Sequence, residues 1–366
     1  MDSPLRVIIS GGGTGGHIFP ALAIANALRR RNPDTEILFV GADNRMEMER
    51  VPTAGYKIVG LPVAGLDRKR LWRNFKVLWM FYKSRRKARR LMEEFKPDIV
   101  VGVGGYASGP TLIAAQKKCI HTLIQEQNSY AGVTNKHLGA KAKRICVAYS
   151  GMDRFFPADS IIMTGNPVRD AIANVSVSQE EAKKELGFDP QKPLVVVVGG
   201  SLGARTINDS VKLAMDRITE AGANILWQTG KYYADECAEA AKDKPDVTAT
   251  AFVSRMDLAY RAADLLVSRA GASTISEIQL LGAPAILVPS PNVAEDHQRK
   301  NAQALADKDA AVMILDADCR NELADTVIAL LGDSQRRKAL GENAKKMALP
   351  NSDEKIVDEI YSIIGR

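Results

Sequence analysis

Along nearly the whole chain, short uninterrupted runs of Val, Ile and Leu alternate with stretches of helical periodicity. Runs that stay apolar, instead of alternating apolar with polar, mark strands buried on both faces, hence parallel sheets covered by helices. In the first half the pattern predicts strands at Arg6–Ser10, Glu36–Val40, Asp98–Val103, His121–Ile124, Arg144–Ala148 and Ile161–Thr164. In the second half it predicts Leu194–Gly199, Asn224–Gln228, Val247–Phe252, Leu265–Ser268, Ala285–Val288 and Val312–Leu315. Helical patterns such as Ala21–Arg31 and Ala204–Ala221 lie between them, which makes right-handed crossovers the default. With 366 residues there is length for two cores. The expected class is therefore α/β, two doubly wound Rossmann-like domains facing across a cleft, with ligands at the carboxyl ends of the strands. Thr164 to Arg169 (TGNPVR) interrupts a finished strand with turn residues and is the best hinge, dividing the chain into domains 1–165 and 166–349. A last helix, about Ser352–Ile364, can pack on either domain.

Each sheet carries glycine-rich turns where such a fold would bind a ligand. SGGGTGGHIFP, Ser10 to Pro20, follows the first strand, and Gly11, Gly13 and Gly16 satisfy the dinucleotide fingerprint. Gly102 to Pro110 (GVGGYASGP) and Gly199 to Arg205 (GGSLGAR) repeat the order of strand, small residues, helix. Backbone N–H groups at a helix start, with the positive end of the helix dipole, favour an anion there, and Ser201 adds a hydroxyl. One such turn can simply tighten a corner; three point to diphosphate-bearing ligands. A nicotinamide cofactor needs an acid at the end of the second strand, where Asp43 stands. It has no use for the His17 imidazole beside the phosphate, whereas a neutral imidazole there can accept a proton. Capping or packing is the plainer role for His17.

In the second half, Ser268 to Glu277 (SRAGASTISE) follows a strand and opens a helix. Ser273 and Thr274 can cap that helix or donate to a phosphate, and Glu277 can hold ribose hydroxyls or merely complement the dipole. Gln298 and Asn301 share a helix face and suit sugar hydroxyls or solvent equally. Asp307-Lys308-Asp309 and Asp316-Ala317-Asp318 read D-x-D, a spacing that can hold a divalent cation, but they lie away from the glycine turns and read as surface acids.

Arg68 to Arg90 carries eleven Lys and Arg, no acid, and Trp72, Phe75, Leu78, Trp79, Met80, Phe81 and Tyr82 between the basic clusters. Leu71, Phe75, Leu78 and Tyr82 form one helical stripe, so the segment is either a helix docked on the sheet or an interfacial helix on anionic lipid, the preferred reading. The net charge of +7 also suits an anionic partner, but no nucleic-acid module accompanies it, and nucleic-acid binding is not expected. No apolar run approaches the roughly 18–20 residues of a membrane span. The N-terminus shows no secretory pattern, since Leu5–Ile9 already reads as a strand. Four widely spaced cysteines without C-x-x-C read as reduced structural thiols of a cytoplasmic protein, with neither a disulfide framework nor a zinc site.

The motifs GGGTGGHIFPALAIA, VGGYASGP, QEQNSYAGVTNK, TGNPVR, GGSLGAR, SRAGASTISE and EDHQRKNA, in this order, resemble the MurG family, the N-acetylglucosaminyltransferases of peptidoglycan synthesis, over roughly Leu5 to Asn301. The resemblance implies a GT-B fold whose C-terminal helix, about 350–366, returns to the first domain. It implies transfer of GlcNAc from UDP-GlcNAc to the C4 hydroxyl of MurNAc in undecaprenyl-pyrophosphoryl-MurNAc-pentapeptide (lipid I). The product is lipid II, formed with inversion and without a metal or other cofactor. By the same resemblance His17 is the base; Thr14, Gly15, Gly16, Asn128, Arg169, Ser201, Phe252, Val253, Met256, Ala272, Ser273, Thr274, Glu277 and Gln298 contact the donor; and Gly104, Gly105 and Tyr106 face the acceptor diphosphate. It places the enzyme on the cytoplasmic face of the inner membrane, held through segment 68–90, with other cell-wall synthesis proteins as partners. Another UDP-sugar GT-B enzyme, such as a sugar-nucleotide epimerase or a glycolipid glycosyltransferase, is the alternative. One departure stands out: Gln125 replaces the histidine of the family's HEQN.

Overall fold

A computed structural model of the protein describes residues 4–65 and 74–366. Leu71, Trp72 and the basic residues from Arg68 to Arg73 lie outside them. Two compact units are present: one runs to Arg169 and takes in Leu349–Arg366, the other is Asp170–Ala348. Both are α/β and doubly wound.

In the first unit the described residues form β1 (Arg6–Ser10), α1 (Gly15–Arg31), β2 (Glu36–Ala42), α2 (Glu47–Thr53), β3 (Lys57–Leu61), α3 (Asn74–Phe95), β4 (Ile99–Gly102), α4 (Ser108–Lys117), β5 (His121–Glu126), α5 (Val133–Gly139), β6 (Arg144–Val147) and β7 (Ile161–Met163). The strands pair in parallel in the order β3-β2-β1-β4-β5-β6-β7. Strand β3 escapes the sequence pattern because it is an edge: Lys57 is exposed, Ile58 and Val59 are half-buried, and Gly60 breaks the apolar run. Helix α1 buries Ile18, Pro20, Ala21, Ala23, Ile24, Ala25, Ala27 and Leu28, so it is covered on more than one face, and its last turn is Arg29-Arg30-Arg31, where the dipole favours cations.

The second unit comprises α6 (Asp170–Ala173), α7 (Gln179–Glu185), β8 (Leu194–Val198), α8 (Arg205–Glu220), β9 (Asn224–Gln228), α9 (Ala234–Ala241), β10 (Val247–Thr250), α10 (Met256–Ala262), β11 (Leu265–Ser268), α11 (Ala272–Leu281), β12 (Ala285–Leu287), α12 (His297–Ala306), β13 (Val312–Met313), α13 (Cys319–Gly332) and α14 (Ser334–Lys346). Its parallel order is β10-β9-β8-β11-β12-β13. Strands β8, β9, β11 and β12 are buried along their whole length, which is why their apolar runs are continuous. Trp227 is fully buried and donates its indole N–H to Asn208 Oδ1 at 3.0 Å.

The last helix, α15 (Ser352–Ile364), packs on α1 through Ile356, Val357 and Ile360. Arg30 pairs with Asp353 and Arg31 with Asp358 at its rim. Such exposed pairs contribute about 0–1 kcal/mol each, whereas burying each aliphatic side chain contributes about 1.5–3 kcal/mol, so the apolar face holds the helix.

In both sheets the strand order reverses direction at one place, between β1 and β4 and between β8 and β11. Crevices at such switch points bind ligands at the carboxyl ends of the strands, and the glycine turns follow β1, β4 and β8. No helix among the described residues is long and apolar enough to cross a membrane. Helix α3 docks through Ser84, Ala88 and Met92, with Lys87 donating to the Gly60 carbonyl. Its other face projects Leu78, Trp79 and Tyr82, at 60%, 57% and 64% exposure. Phe81 is half-buried near Gly109 of α4 instead. All four cysteines are free thiols; burial raises Cys146 and Cys319 and pushes Cys237 up to about 11, leaving Cys119 exposed.

Candidate active site

At the carboxyl edge of the first sheet, β1 and β4 are neighbours, so their two glycine turns meet. A Cβ on Gly105 would stand 2.2 Å from the Gly12 carbonyl oxygen, and one on Gly11 would stand 2.2 Å from Val103 Cγ2. Gly105 has φ +86, a left-handed backbone that glycine adopts without strain. Ser108 Oγ ties the corner further, donating to the Ser10 carbonyl at 2.6 Å. Helix α1 starts after Thr14, whose extended backbone makes it the cap residue, but its hydroxyl caps nothing. Thr14 Oγ1 instead lies 3.1 Å from His17 Nδ1. The opposite edge of that ring faces the second turn: a Cβ on Gly104 would be 2.8 Å from both His17 Cδ2 and Nε2. Thr14, His17, Gly104 and Gly105 therefore form one cluster. Exposed Tyr106 follows, its hydroxyl against Gly65. Gly15 and Gly16 open α1 beside them.

One correction concerns the first turn. It does not offer all its N–H groups to a ligand, because Gly13 N–H donates to Glu47 Oε2 at 2.9 Å. Asp43, the residue a nicotinamide ribose would need, is exposed at the end of β2, its Oδ1 against Gly60.

The next corner, after β5, carries Asn128. Buried Glu126 accepts from the backbone N–H groups of Asn128 at 3.1 Å and Gly132 at 3.0 Å, and from Asn135 Nδ2 at 2.9 Å, so one carboxylate ties both ends of this loop. Beneath it lies a closed triangle of buried amides. Gln125 donates to Asn166 Oδ1 at 2.8 Å, Asn166 donates to the Gln127 carbonyl at 3.0 Å, and Gln127 Nε2 donates to Gln125 Oε1. Gln127 Nε2 also reaches the Val103 carbonyl at 2.8 Å, immediately before Gly104. Gln125 thus takes a structural place in this chain. Farther along, Tyr149 buries a hydroxyl that has no hydrogen-bond partner among the described residues, and burial pushes it well above the ordinary tyrosine range. Arg169 places its guanidinium 5.3 Å from the Phe19 ring centroid in the same unit.

On the second sheet, the strand order sets the candidate residues of this unit along one edge, running from the loop after β10 through the corners of β9, β8, β11 and β12. Ser201 is exposed after β8, with Gly200 at φ +86 in open space. On the adjacent corner Gly271, not Ser273 or Thr274, is the cap residue of α11, and no side chain caps the helix. This corrects the capping expectation for both hydroxyl residues. Ser273 Oγ is buried with no hydrogen-bond partner among the described residues, one turn from buried Glu277. Ala272 starts the helix and is itself buried.

After β12, Ser290 N–H donates to Gln298 Oε1 at 2.9 Å, fixing the orientation of that amide. Asn301 is fully buried, so it does not share a ligand-facing surface with Gln298. After β10, Phe252 is exposed, and Val253 N–H donates to Gln228 Oε1 at 3.0 Å. The Val253 N–H is thereby occupied within the chain. Met256 opens α10, where the Arg255 guanidinium beside Asp257 holds that carboxyl below the usual range.

Arg269 was passed over in the sequence. It donates to the Val288 and Pro289 carbonyls and pairs with Asp316, which accepts from Thr206 Oγ1 at 2.9 Å. The Arg269–Asp316 pair thus joins four corners, those after β8, β11, β12 and β13, and Asp316 is no surface acid. Asp309 likewise pairs with Arg336. The D-x-D spacing gave no hint of either partner. Among the described residues no three His, Cys, Asp or Glu side chains gather in a metal-holding group.

Residues 7–147 match the glycosyltransferase family 28 N-terminal domain, and residues 194–356 match its C-terminal domain. The chain is 56% identical, over 99% of both sequences, to the UDP-N-acetylglucosamine–N-acetylmuramyl-(pentapeptide) pyrophosphoryl-undecaprenol N-acetylglucosamine transferase of Parabacteroides distasonis. It is 55% identical to the enzyme of the same name from Phocaeicola vulgatus, covering 100% of this chain and 98% of that one. Among solved structures, Acinetobacter baumannii MurG superposes with a TM-score of 0.79 at 30% identity, covering 98% of this chain and all of that one.

Proposed function

The chain belongs to glycosyltransferase family 28, and from that premise we propose that it transfers GlcNAc from UDP-GlcNAc to the C4 hydroxyl of MurNAc in lipid I, forming lipid II. The observation that carries this reading is the His17 imidazole, fixed by Thr14 on one nitrogen and lying edge-on to the Gly104 turn on the other. With Nδ1–H donating to Thr14 Oγ1, the Nε2 lone pair takes the proton of the acceptor hydroxyl. The acceptor oxygen bonds to C1 of GlcNAc as the C1–O bond to the β-phosphate breaks, and UDP departs with the electron pair. Attack opposite the leaving group inverts the anomeric centre.

The second unit holds the donor. The uncapped start of α11 presents N–H groups and the positive dipole end to the diphosphate, and the buried Ser273 hydroxyl supplies a donor that has no other partner among the described residues. Ala272, Thr274 and Ser201 line the same anion site, while Glu277 takes the ribose hydroxyls. Gln298 offers its N–H groups to the sugar, and Thr14, Gly15, Gly16, Asn128 and Arg169 complete the donor contacts. The Val253 carbonyl accepts from uracil N3–H, beside Phe252 and Met256. Gly104, Gly105 and Tyr106 receive the acceptor diphosphate. These dipoles stabilise departing UDP without a metal. Radiolabelled UDP-GlcNAc with a lipid I analogue tests the whole scheme. Label is expected in the lipid at the same rate with and without EDTA. Loss of turnover in EDTA would remove the metal-free step, and label released as free sugar without lipid would make the enzyme an epimerase.

The enzyme sits at the cytoplasmic face of the inner membrane, where other cell-wall synthesis proteins work. Exposed Leu78, Trp79 and Tyr82 enter the headgroup region while Lys83, Arg86 and Arg90 contact anionic lipid, each basic residue contributing about 1 kcal/mol. Replacing Leu78, Trp79 and Tyr82 together by Ser is expected to weaken binding to anionic vesicles at least tenfold, about 1.4 kcal/mol, and to spare turnover of a soluble acceptor. Vesicle co-sedimentation reads the first and initial rates the second; unchanged sedimentation would give that face another role.

A further inference from the structure

The anion slot of the first glycine turn is already filled, and the chain itself fills it. Glu47, the first residue of α2, is 1% exposed. Its Oε2 accepts Gly13 N–H at 2.9 Å and its Oε1 accepts Ala42 N–H at 3.0 Å. Backbone closes around it: a Cβ on Gly12 would stand 2.1 Å from Oε1, and one on Gly41 would stand 2.6 Å from Cγ. Among the described residues no Lys, Arg or His pairs with it. A buried carboxylate without a cation persists only where N–H groups satisfy it. Here they come from the carboxyl end of β2 and from the turn after β1, the position where a strand-turn-helix corner receives a ligand phosphate.

We propose that Glu47 is a positioning residue for the transfer: an internal anion that fixes the Gly12–Gly13 backbone and, through the adjoining Thr14, the orientation of the His17 imidazole. The Gly13 N–H is thereby closed to substrate phosphate, and diphosphate recognition in the first unit falls to the Gly104–Tyr106 turn. This rests on the reading of His17 as the base. The lever is short. Gly13 is covalently next to Thr14, and Thr14 Oγ1 is the atom that holds Nδ1. A displacement of about 1 Å at a reacting group can lower a rate on the order of 10²-fold.

The test is Glu47→Ala, assayed on UDP-GlcNAc and a lipid I analogue, with thermal melting in parallel. kcat is expected to fall about 10²-fold, while the UDP-GlcNAc KM stays within roughly twofold, because most of the proposed donor contacts belong to the second unit. Formate is small enough for the vacated space and accepts the same two N–H groups. It is expected to restore kcat at least about tenfold and to raise the melting temperature of the variant, whereas chloride at equal ionic strength does neither and wild type responds to neither. An unchanged kcat in the folded variant, or a variant indifferent to formate in both rate and melting, overturns the proposal. If Glu47→Ala does not fold, Glu47→Gln keeps the volume but turns an amide N–H group toward one of the two backbone donors. The same split of kcat from KM is then expected, and an unchanged kcat overturns the proposal. Should wild type transfer no GlcNAc, the functional reading falls by itself, and formate-dependent melting of Glu47→Ala still decides whether this carboxylate fills an anion slot.

Discussion

His17→Ala is expected to lower kcat by about 10²–10⁴-fold, the range for loss of a positioned general base, with little change in the UDP-GlcNAc KM. The asymmetry follows from where the imidazole stands. It shares its cluster with Thr14 and the Gly104 turn of the first unit, whereas most of the donor contacts proposed above belong to the second. Removing it costs the step in which the acceptor hydroxyl loses its proton and leaves nucleotide binding intact. Thr14→Val should fall between the two: the ring remains, but Nδ1 loses the oxygen that fixes its tautomer. Steady-state rates for the three proteins over a series of donor concentrations check both statements. A His17→Ala enzyme within threefold of wild-type kcat would show that the imidazole is only a packing group.

Gly105→Ala is expected to destabilise the first unit by about 2–6 kcal/mol, the sum of the strain of a positive φ on a residue with a Cβ and the overpacking of a closed site. The added carbon would stand 2.2 Å from the Gly12 carbonyl oxygen, which is backbone and cannot swing away. The two turns would be forced apart, taking the Gly104 support from under His17. For a unit of this size the melting temperature should drop by roughly 5–20 °C, with acceptor turnover falling alongside. Gly55→Ala is the control. Its φ of +82 carries the same backbone strain, but nothing lies within 4 Å of the new carbon. Differential scanning calorimetry on both separates the two contributions: if the two variants melt together, the interlocking of the turns contributes nothing.

Most of the architecture was legible because a strand buried on both faces must be apolar throughout. Leu194–Val198 and Leu265–Ser268 announce themselves in that way. Where a strand lies at an edge the rule weakens, and Lys57–Leu61 went unseen. Strand ends were read too long where apolar residues continue into the following corner. Val247–Phe252 stops at Thr250 because Val253 is drawn off by Gln228. The glycine turns and His17 were legible for a local reason, a backbone that needs glycine beside a helix start. The residues that hold those turns were not. Glu47 reaches Gly13 across 34 positions, Gln125 reaches Asn166 across 41, and Arg269 reaches Asp316 across 47. A side chain that bonds a distant segment leaves no periodicity and no spacing, so nothing singles out Glu47 in the sequence, and Asp316 reads as part of a D-x-D.

The triangle of Gln125, Gln127 and Asn166 joins the second glycine turn to the segment by which the chain leaves the first unit. Amides neither gain nor lose a proton over the physiological range, and each here is both donor and acceptor to its neighbours. A histidine at position 125 would bring a titrating group into this joint, one that becomes donor-only when protonated and can no longer accept from Gln127. With glutamine in its place, the joint has the same hydrogen-bonding pattern at pH 5 as at pH 8. Acidification of the cell can therefore reach this chemistry through other groups, but not by loosening that part of the frame.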